Sequence, residues 1–150
     1  MLIPCIRHVR LGDDPGATRQ DPDPRVLCER LPEALLAIGG RGAKVISGSR
    51  FIGNRSIGSG GGRAGAIYGG GATVSIVGST FAGNSSATQA SAIYNSGEIR
   101  ITNSTFADNT AGTGAGGNGA VVQNDAGAVT ELRNVTFAGN TGTDGFGAIF

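Results

Sequence analysis

The sequence has no tryptophan, only five prolines and little charge for its length of 150 residues. Charged residues make up 15% of the chain, against about 25% in a typical globular domain. The formal net charge is +1, so nothing favours a nucleic-acid partner or an anionic membrane surface. No apolar run approaches the roughly 20 residues of a membrane-spanning helix. Glycine does not recur at every third position, which excludes a collagen triple helix.

What the sequence does contain is glycine, which supplies 28 of its residues. Hydrophobic residues, at 39%, are too many for a disordered chain. The composition changes near residue 40. Residues 1–40 contain all five prolines, both cysteines and the only histidine, whereas residues 41–150 contain every aromatic residue. We therefore divide the chain into an irregular N-terminal segment, residues 1–40, and a second region, residues 41–150.

One helix is predicted in the N-terminal segment, over residues 24–38. Apolar residues recur there at helical spacing: Leu27, Leu31, Leu35 and Ile38. Asp23 before Pro24 is typical of a helix start, and Gly39-Gly40 is typical of a helix end. Pro32 predicts a kink. We expect this helix to act as a cap on the rest of the fold.

Residues 41–150 contain four copies of a Phe-x-x-Asn motif, and a shorter Gly-Ala-Ile type motif alternates with them. The phenylalanines and asparagines are Phe51, Phe81, Phe106, Phe137, Asn54, Asn84, Asn109 and Asn140. An aliphatic residue lies five positions before each phenylalanine: Ile46, Ile76, Ile101 and Leu132. Alternating apolar positions favour strands, and the glycines, serines and asparagines between them favour turns.

Repeats of this length indicate a solenoid, in which units that cannot fold alone share one core. Leucine-rich repeats are excluded because only Leu132 of the seven leucines lies beyond residue 40. Propeller blades are disfavoured by the absence of tryptophan, and helical repeats by the glycine content. We therefore predict an all-β fold, a right-handed parallel β-helix of about four coils with a short N-terminal capping helix.

Stacked coils would bring equivalent residues into register about 4.8 Å apart. We expect the four phenylalanines to form an internal aromatic stack, with the four aliphatic residues stacked beside it. The four asparagines should form a ladder at a turn, because each side-chain amide can bond to the amides above and below. Extra residues between the repeats should form outward loops.

The two alternating motifs resemble the repeats of polymorphic outer-membrane proteins, which combine a Gly-Gly-Ala-Ile motif with a Phe-x-x-Asn motif. They are equally similar to bacterial surface proteins with pectin-lyase-like β-helix repeats, whose coils read like residues 103–109. The resemblance covers about residues 43–150. No copy has the double glycine, and Ser91 replaces the remaining one. The resemblance implies a location outside the cell or at the outer membrane, with an adhesive or structural role.

The signals for cofactor and metal binding are weak. Residues 60–65 and 114–119 match the glycine pattern of dinucleotide-binding loops, but each leads into a predicted strand and not into a helix. The glycines around residue 117 lack the aspartates of calcium-binding nonapeptide repeats. We therefore predict no cofactor and no metal site.

The signals for catalysis are equally weak. Enzymes of this fold need carboxylates clustered on one face. Asp108 aligns with glycines in the other repeats, and Glu131 aligns with Arg100, which predicts an exposed ion pair. His8 lies in the irregular segment, where we expect an exposed or capping role. We therefore predict no catalytic residue.

The expected function is that of a non-catalytic, secreted or cell-surface repeat region, which acts as a structural spacer or an adhesin-like surface. Its expected partners are a host-surface protein or a polysaccharide, and not nucleic acid. The alternative is a fragment of a polysaccharide lyase or hydrolase whose site lies on other coils. The spacing of Cys5 and Cys28 does not decide between a disulfide and two thiols, and residues 1–5 show no signal peptide.

The C-terminal end of the chain also carries an expectation. Residues 147–150 open a further coil, and no polar capping element follows them. Solenoids normally end in such an element. We therefore expect a β-helix that is truncated at its C-terminus and self-associates through its uncapped last coil.

Overall fold

A computed structural model describes residues 10–11, 36–39, 43–56, 63–71, 73–112, 119–142 and 148–149. Within these residues all regular elements are strands, which we number β1 to β17. The strands stack in four sheets, and every pairing but one is parallel. The predicted all-β class is therefore confirmed, and the stacking is consistent with a parallel β-helix. The right-handed sense of the coil stays a prediction.

The two-residue strand β1 (Arg10–Leu11) comes first. The other strands form four similar coils, which follow one another along the chain. Coil 1 comprises β2 (Leu36–Gly39), β3 (Ala43–Ser47), β4 (Arg50–Ile52) and β5 (Arg55–Ser56). Coil 2 comprises β6 (Ile67–Gly70), β7 (Thr73–Val77), β8 (Thr80–Ala82) and β9 (Ser85–Ser86). Coil 3 comprises β10 (Ile93–Asn95), β11 (Glu98–Thr102), β12 (Thr105–Ala107) and β13 (Thr110–Ala111). Coil 4 comprises β14 (Val122–Asn124), β15 (Val129–Arg133), β16 (Thr136–Ala138) and β17 (Thr141–Gly142).

Each sheet contains one strand from every coil, and neighbouring strands in a sheet come from successive coils. The first sheet is β2-β6-β10-β14, the third is β4-β8-β12-β16 and the fourth is β5-β9-β13-β17. The second sheet is β1-β3-β7-β11-β15, in which β1 runs antiparallel along the outer edge of β3. The isolated bridge between Val122 and Ile149 begins a further coil beside β14.

Residues 36–39 form strand β2, which contradicts the end of the helix predicted over residues 24–38. Leu36 and Ile38 pair in parallel with Ile67 and Gly69 of β6. The segment from Leu36 to Gly39 alternates large and small residues, which is a strand period. Pairing with the edge of β6 therefore overrides the helical spacing of the leucines. Residues 24–35 lie outside the described residues, and the helical cap is not supported.

The core lies inside the coils and is built from the inward-facing residue of each strand. Its fully buried large side chains are Phe51, Phe81, Phe106, Ile46, Ile67, Ile76, Ile93, Ile99, Ile101, Val74, Val121 and Val122. Leu132, Val135 and Phe137 of coil 4 are only partly buried and pack against this core. The core is therefore closed at coil 1 and more open at coil 4.

Two rows of residues with positive φ turn the chain at the same points in every coil. The row between the second and third sheets is Gly48, Gly78, Asn103 and Asn134, with φ of 55°, 58°, 51° and 51°. The row between the third and fourth sheets is Gly53, Gly83, Asp108 and Gly139, with φ of 65°, 61°, 53° and 62°. Asparagine and aspartate tolerate this conformation better than other residues with side chains, which explains their presence among glycines.

Candidate functional site

The four asparagines of the repeated motif form a ladder beside the third sheet. Each Nδ2 donates to Oδ1 of the next asparagine along the stack, at distances of 2.8, 2.9 and 2.9 Å. The backbone N–H of each donates to the same oxygen. From coil 2 onward, Nδ2 also donates to the phenylalanine carbonyl of the preceding coil. This ladder therefore satisfies polar groups that the coil would otherwise bury unpaired.

The four phenylalanines stack face to face inside the coils. Ring centroids are 4.7 Å apart for Phe51 and Phe81, 4.6 Å for Phe81 and Phe106, and 5.0 Å for Phe106 and Phe137. The aliphatic row is also in register, with Ile46, Ile76, Ile101 and Leu132 at paired positions of the second sheet. These two rows hold the coils together, and their apolar side chains carry no group that could bind a metal ion or act in catalysis.

A second polar ladder, of serines, lies where the chain leaves the second sheet. The backbone N–H of Ser49 donates to Oγ of Ser79, and that of Ser79 donates to Oγ of Ser104. Each Oγ donates in turn to the carbonyl two residues earlier. Sequence reasoning missed this row, although serine three residues after the aliphatic position in three repeats was a usable signal. Val135 takes the place in coil 4 and ends the ladder.

The outward face of the second sheet carries four charged residues of coils 3 and 4. Arg100 contacts Glu98 at 2.6 Å and Glu131 at 3.1 Å, and Arg133 contacts Glu131 at 2.9 Å. Arg100 and Glu131 are paired in register across β11 and β15, as the repeat alignment predicted. The hydrogen bond from Arg133 is the main cause that lowers the pKa of Glu131, followed by the charge of Arg133 and the hydrogen bond from Arg100.

This charged face also forms an open depression of about 530 Å³, lined by Arg100, Thr102, Glu131 and Arg133. Its arginines can donate and its carboxylate can accept, so a ligand that both donates and accepts hydrogen bonds fits it. We call these four lining residues the charged depression.

An aromatic cluster lies on the outward face of the first sheet. Tyr68 and Tyr94 stack with centroids 5.6 Å apart, and the guanidinium of Arg63 lies 5.4 Å from the centroid of the Tyr94 ring. Tyr94 is only 4% exposed. Burial is the largest cause that raises its pKa, and the charge of Asp125 and a hydrogen bond to Asp125 raise it further. The sequence analysis did not single out these residues.

Two buried amides flank this cluster. Asn95, which is fully buried, donates through Nδ2 to Oδ1 of Asn124 and the carbonyl of Val129, each at 3.0 Å. Gln123 lies in register with Tyr94 and is 4% exposed, and its Oε1 has no hydrogen-bond partner in the described part of the chain. Tyr94 and the two amides are therefore shielded from solvent, whereas Tyr68 is half-buried and Arg63 is exposed.

Within the described residues, the remaining titratable side chains do not converge on a reactive centre. The described ranges hold no group of three or more His, Cys, Asp or Glu side chains that could hold a metal ion. Asp108 lies in a turn row whose other members are Gly53, Gly83 and Gly139. His8, Cys5 and Cys28 lie outside the described residues, as do residues 60–62 and 114–118 of the glycine-rich segments. No helix in the described part of the chain could cross a membrane.

No protein-family model, no curated protein and no solved structure matches this chain.

Proposed function

We propose that this chain is a non-catalytic β-helix of the pectin-lyase-like kind, from a secreted or cell-surface protein. In this proposal it acts as a structural spacer and presents an adhesin-like surface. The observation that carries the proposal is that one asparagine ladder and one phenylalanine stack run through all four coils without a break.

The spacer role rests on how the coils are joined. Strands in the second sheet keep a length of five residues in all four coils, and those in the third sheet keep three. The largest length differences between repeats fall in the connections between the fourth and first sheets, as between Ser56 and Ile67 or Ser86 and Ile93. Smaller ones fall between the first and second sheets. Each coil adds about 4.8 Å along the axis. Regular stacking of the coils gives a rod of set length.

We place the binding surface at the charged depression, and we propose a polysaccharide as the ligand. Sugar hydroxyls both donate and accept hydrogen bonds, so they can bond to Glu131 and to the arginines beside it. The arginines and carboxylates already neutralise one another, which does not favour a strongly charged ligand. The surface is open, which suits a long chain lying across it.

The test is a glycan array and a polysaccharide-depolymerisation assay on the same preparation. We expect binding without depolymerisation, and at least several-fold weaker binding in Arg100→Ala, which removes two of the contacts of the depression. Arg55→Ala removes an exposed arginine of coil 1, and this matched control should bind as the wild type does. Asp108→Ala should change neither result. Depolymerisation that a carboxylate variant abolishes would instead support the polysaccharide-lyase or hydrolase alternative.

A further inference from the structure

The sequence contains four Asn-x-Ser/Thr tripeptides, the pattern that asparagine-linked glycosylation requires. They begin at Asn54, Asn84, Asn103 and Asn134. By sequence alone the four are equivalent, because each also fits a repeat that is rich in asparagine, serine and threonine. A glycosyltransferase must reach both the asparagine amide and the hydroxyl group two residues later. The fold therefore decides which of the four tripeptides can be modified.

The first two tripeptides are enclosed by the coils. Asn54 is 4% exposed and Asn84 has no exposed surface. Both belong to the asparagine ladder, in which Nδ2 of Asn54 donates to Asn84 and Nδ2 of Asn84 donates to Asn109. The hydroxyl residues of these tripeptides, Ser56 and Ser86, are 3% and 1% exposed. Neither the amide nor the hydroxyl group can therefore be reached while the coils are folded.

The other two tripeptides begin in the turn row between the second and third sheets, which faces solvent. Asn103 and Asn134 are exposed, and each has a φ of 51°, in the left-handed turn that Gly48 and Gly78 form in coils 1 and 2. Gly78 and Asn103 lie in coils that have a neighbour on each side, and both are exposed. The exposure is therefore a property of the turn row and does not depend on the end of the stack.

The threonines of these two tripeptides also lie on the outward side. Thr105 and Thr136 are the first residues of β12 and β16 and are paired in register, and each precedes an inward-facing phenylalanine. Thr105 is half-buried and Thr136 is exposed. Nδ2 of Asn134 donates a 3.2 Å hydrogen bond to Oδ1 of Asn103, an exposed bond that water can replace at little cost. Amide and hydroxyl group are therefore both accessible in coils 3 and 4.

We propose that Asn103 and Asn134 are acceptor sites for asparagine-linked glycosylation, whereas Asn54 and Asn84 are not. The donor is a hexose whose anomeric carbon carries a nucleoside diphosphate. Nδ2 forms a bond to the anomeric carbon, and the bond from that carbon to the diphosphate oxygen breaks. The diphosphate leaves with the electron pair, and Nδ2 loses one proton. The inference rests on the proposed secreted or cell-surface location, because glycans of this kind are typical of such proteins.

Transfer to the purified full chain in vitro tests the acceptor sites. The folded chain is incubated with UDP-glucose and a soluble glucosyltransferase that reads Asn-x-Ser/Thr, and glycopeptide mass spectrometry locates the added hexose. Four synthetic peptides, each with one tripeptide, are the unfolded reference. We expect hexose on all four peptides, but only on Asn103 and Asn134 of the folded chain. The assay involves no polysaccharide binding, so it can fail separately from the proposed function.

Variants of the hydroxyl residue show whether the tripeptide itself is read. Thr105→Val removes the hydroxyl group at nearly constant shape and should abolish transfer to Asn103, whereas transfer to Asn134 should be unchanged. Thr105→Ser keeps a hydroxyl group and should keep the transfer. Thr80→Val is the matched control, because Thr80 is paired in register with Thr105 but lies two residues after Gly78 and not after an asparagine. It should leave both sites modified.

Several results would overturn the proposal. If the peptides are modified and Asn103 of the folded chain is not, the exposed asparagines have a turn role alone. Equal occupancy of Asn84 and Asn103 in the folded chain would show that burial does not select the sites. Transfer to Asn103 that survives Thr105→Val would show that the tripeptide is not read, and unmodified peptides from coils 3 and 4 would show that these tripeptides are not acceptors.

Discussion

The side-chain amide of Asn84 donates a 2.9 Å hydrogen bond to Oδ1 of Asn109, and the backbone N–H of Asn84 donates to the same oxygen. The second Nδ2 hydrogen of Asn84 points the other way, to the carbonyl of Phe51. One side chain thus joins three successive coils. Because the same arrangement recurs along the stack, the ladder has a direction: each Oδ1 faces coil 1, and each backbone N–H faces coil 4.

The first prediction concerns this ladder. Asn84→Ala should lower the free energy of unfolding by about 1–3 kcal/mol, because it leaves the N–H of Asn54 without its partner and removes one hydrogen bond to the carbonyl of Phe51. Asn54→Ala is the control: no described residue donates to Oδ1 of Asn54, so a smaller loss is expected. Urea denaturation followed by circular dichroism measures both. Equal losses would contradict the direction of the ladder.

The second prediction concerns the phenylalanine stack. Phe81→Ala and Phe106→Ala should each lower the free energy of unfolding by about 3–5 kcal/mol, because each leaves a cavity between two stacked rings that the coils cannot close. Phe137→Ala should cost less, since its ring is partly exposed and stacks on Phe106 alone among the described residues. Thermal melts monitored by circular dichroism give the melting temperature of each variant and thus rank the three substitutions by their destabilisation. A melting temperature unchanged by Phe106→Ala would rule out the stack.

The third prediction concerns a turn row. Gly139→Ala should destabilise more than Gly83→Ala, although the two glycines have nearly the same φ, 62° and 61°. The left-handed conformation costs roughly 1–2 kcal/mol in both, but a Cβ at residue 139 would also overlap Oδ1 of Asp108, whereas one at residue 83 meets nothing within 4 Å.

A double-mutant cycle separates the two costs. Adding Asp108→Gly to Gly139→Ala removes the overlap and should recover the difference between the two glycine variants. The free energies of unfolding in urea provide the comparison. If Asp108→Gly had the same effect in the presence and absence of Gly139→Ala, the contact between these positions would carry no energy.

The fourth prediction concerns the pH dependence of Tyr94. Its pKa is raised, so the neutral phenol is favoured in the folded state. The resulting stabilisation is present below the ordinary tyrosine pKa of about 10 and is lost as the pH rises through the higher folded value. Asp125→Asn should lower the pKa of Tyr94, but only in part, because burial is the larger cause.

Ultraviolet titration of tyrosinate measures this pKa directly. Tyr68→Phe leaves Tyr94 as the sole tyrosine, since the chain has two, and serves as the background for the comparison. Asp108→Asn is the control, because Asp108 lies in a turn row away from the tyrosines and should leave the titration unchanged. An identical titration curve with Asp125→Asn would show that the carboxylate does not contact the ring.

Much of the register could be predicted because a solenoid stacks equivalent positions. Aligning the phenylalanines was enough to place Arg100 opposite Glu131, and the structure pairs these residues. The same alignment placed Asp108 in a row of glycines, where the structure shows a shared left-handed turn. Both results follow from the stacking of equivalent repeat positions, and neither required knowledge of side-chain contacts.

The rest depended on contacts that spacing does not encode. Ile38 fits the helical spacing that starts at Leu27 and also the strand alternation with Leu36, and only the edge of β6 decides between the two patterns. Tyr94 lies on the outward face of its strand, where an exposed ring is the ordinary expectation. The ring is buried against Ala64 and Ala90, which lie in the connections between the fourth and first sheets. These connections differ in length between the repeats, so the repeat pattern does not predict the contact.

The matched turn positions have a consequence for the gene. The segment from Thr80 to Ser104 begins and ends at equivalent points of adjacent turns, since Thr80 and Thr105 are paired in register. An in-frame duplication of this segment would recreate both of its junctions and add one turn, about 4.8 Å of length. Unequal recombination between repeats can therefore lengthen or shorten the rod in whole steps, and variation among descendants would appear as a ladder of discrete lengths.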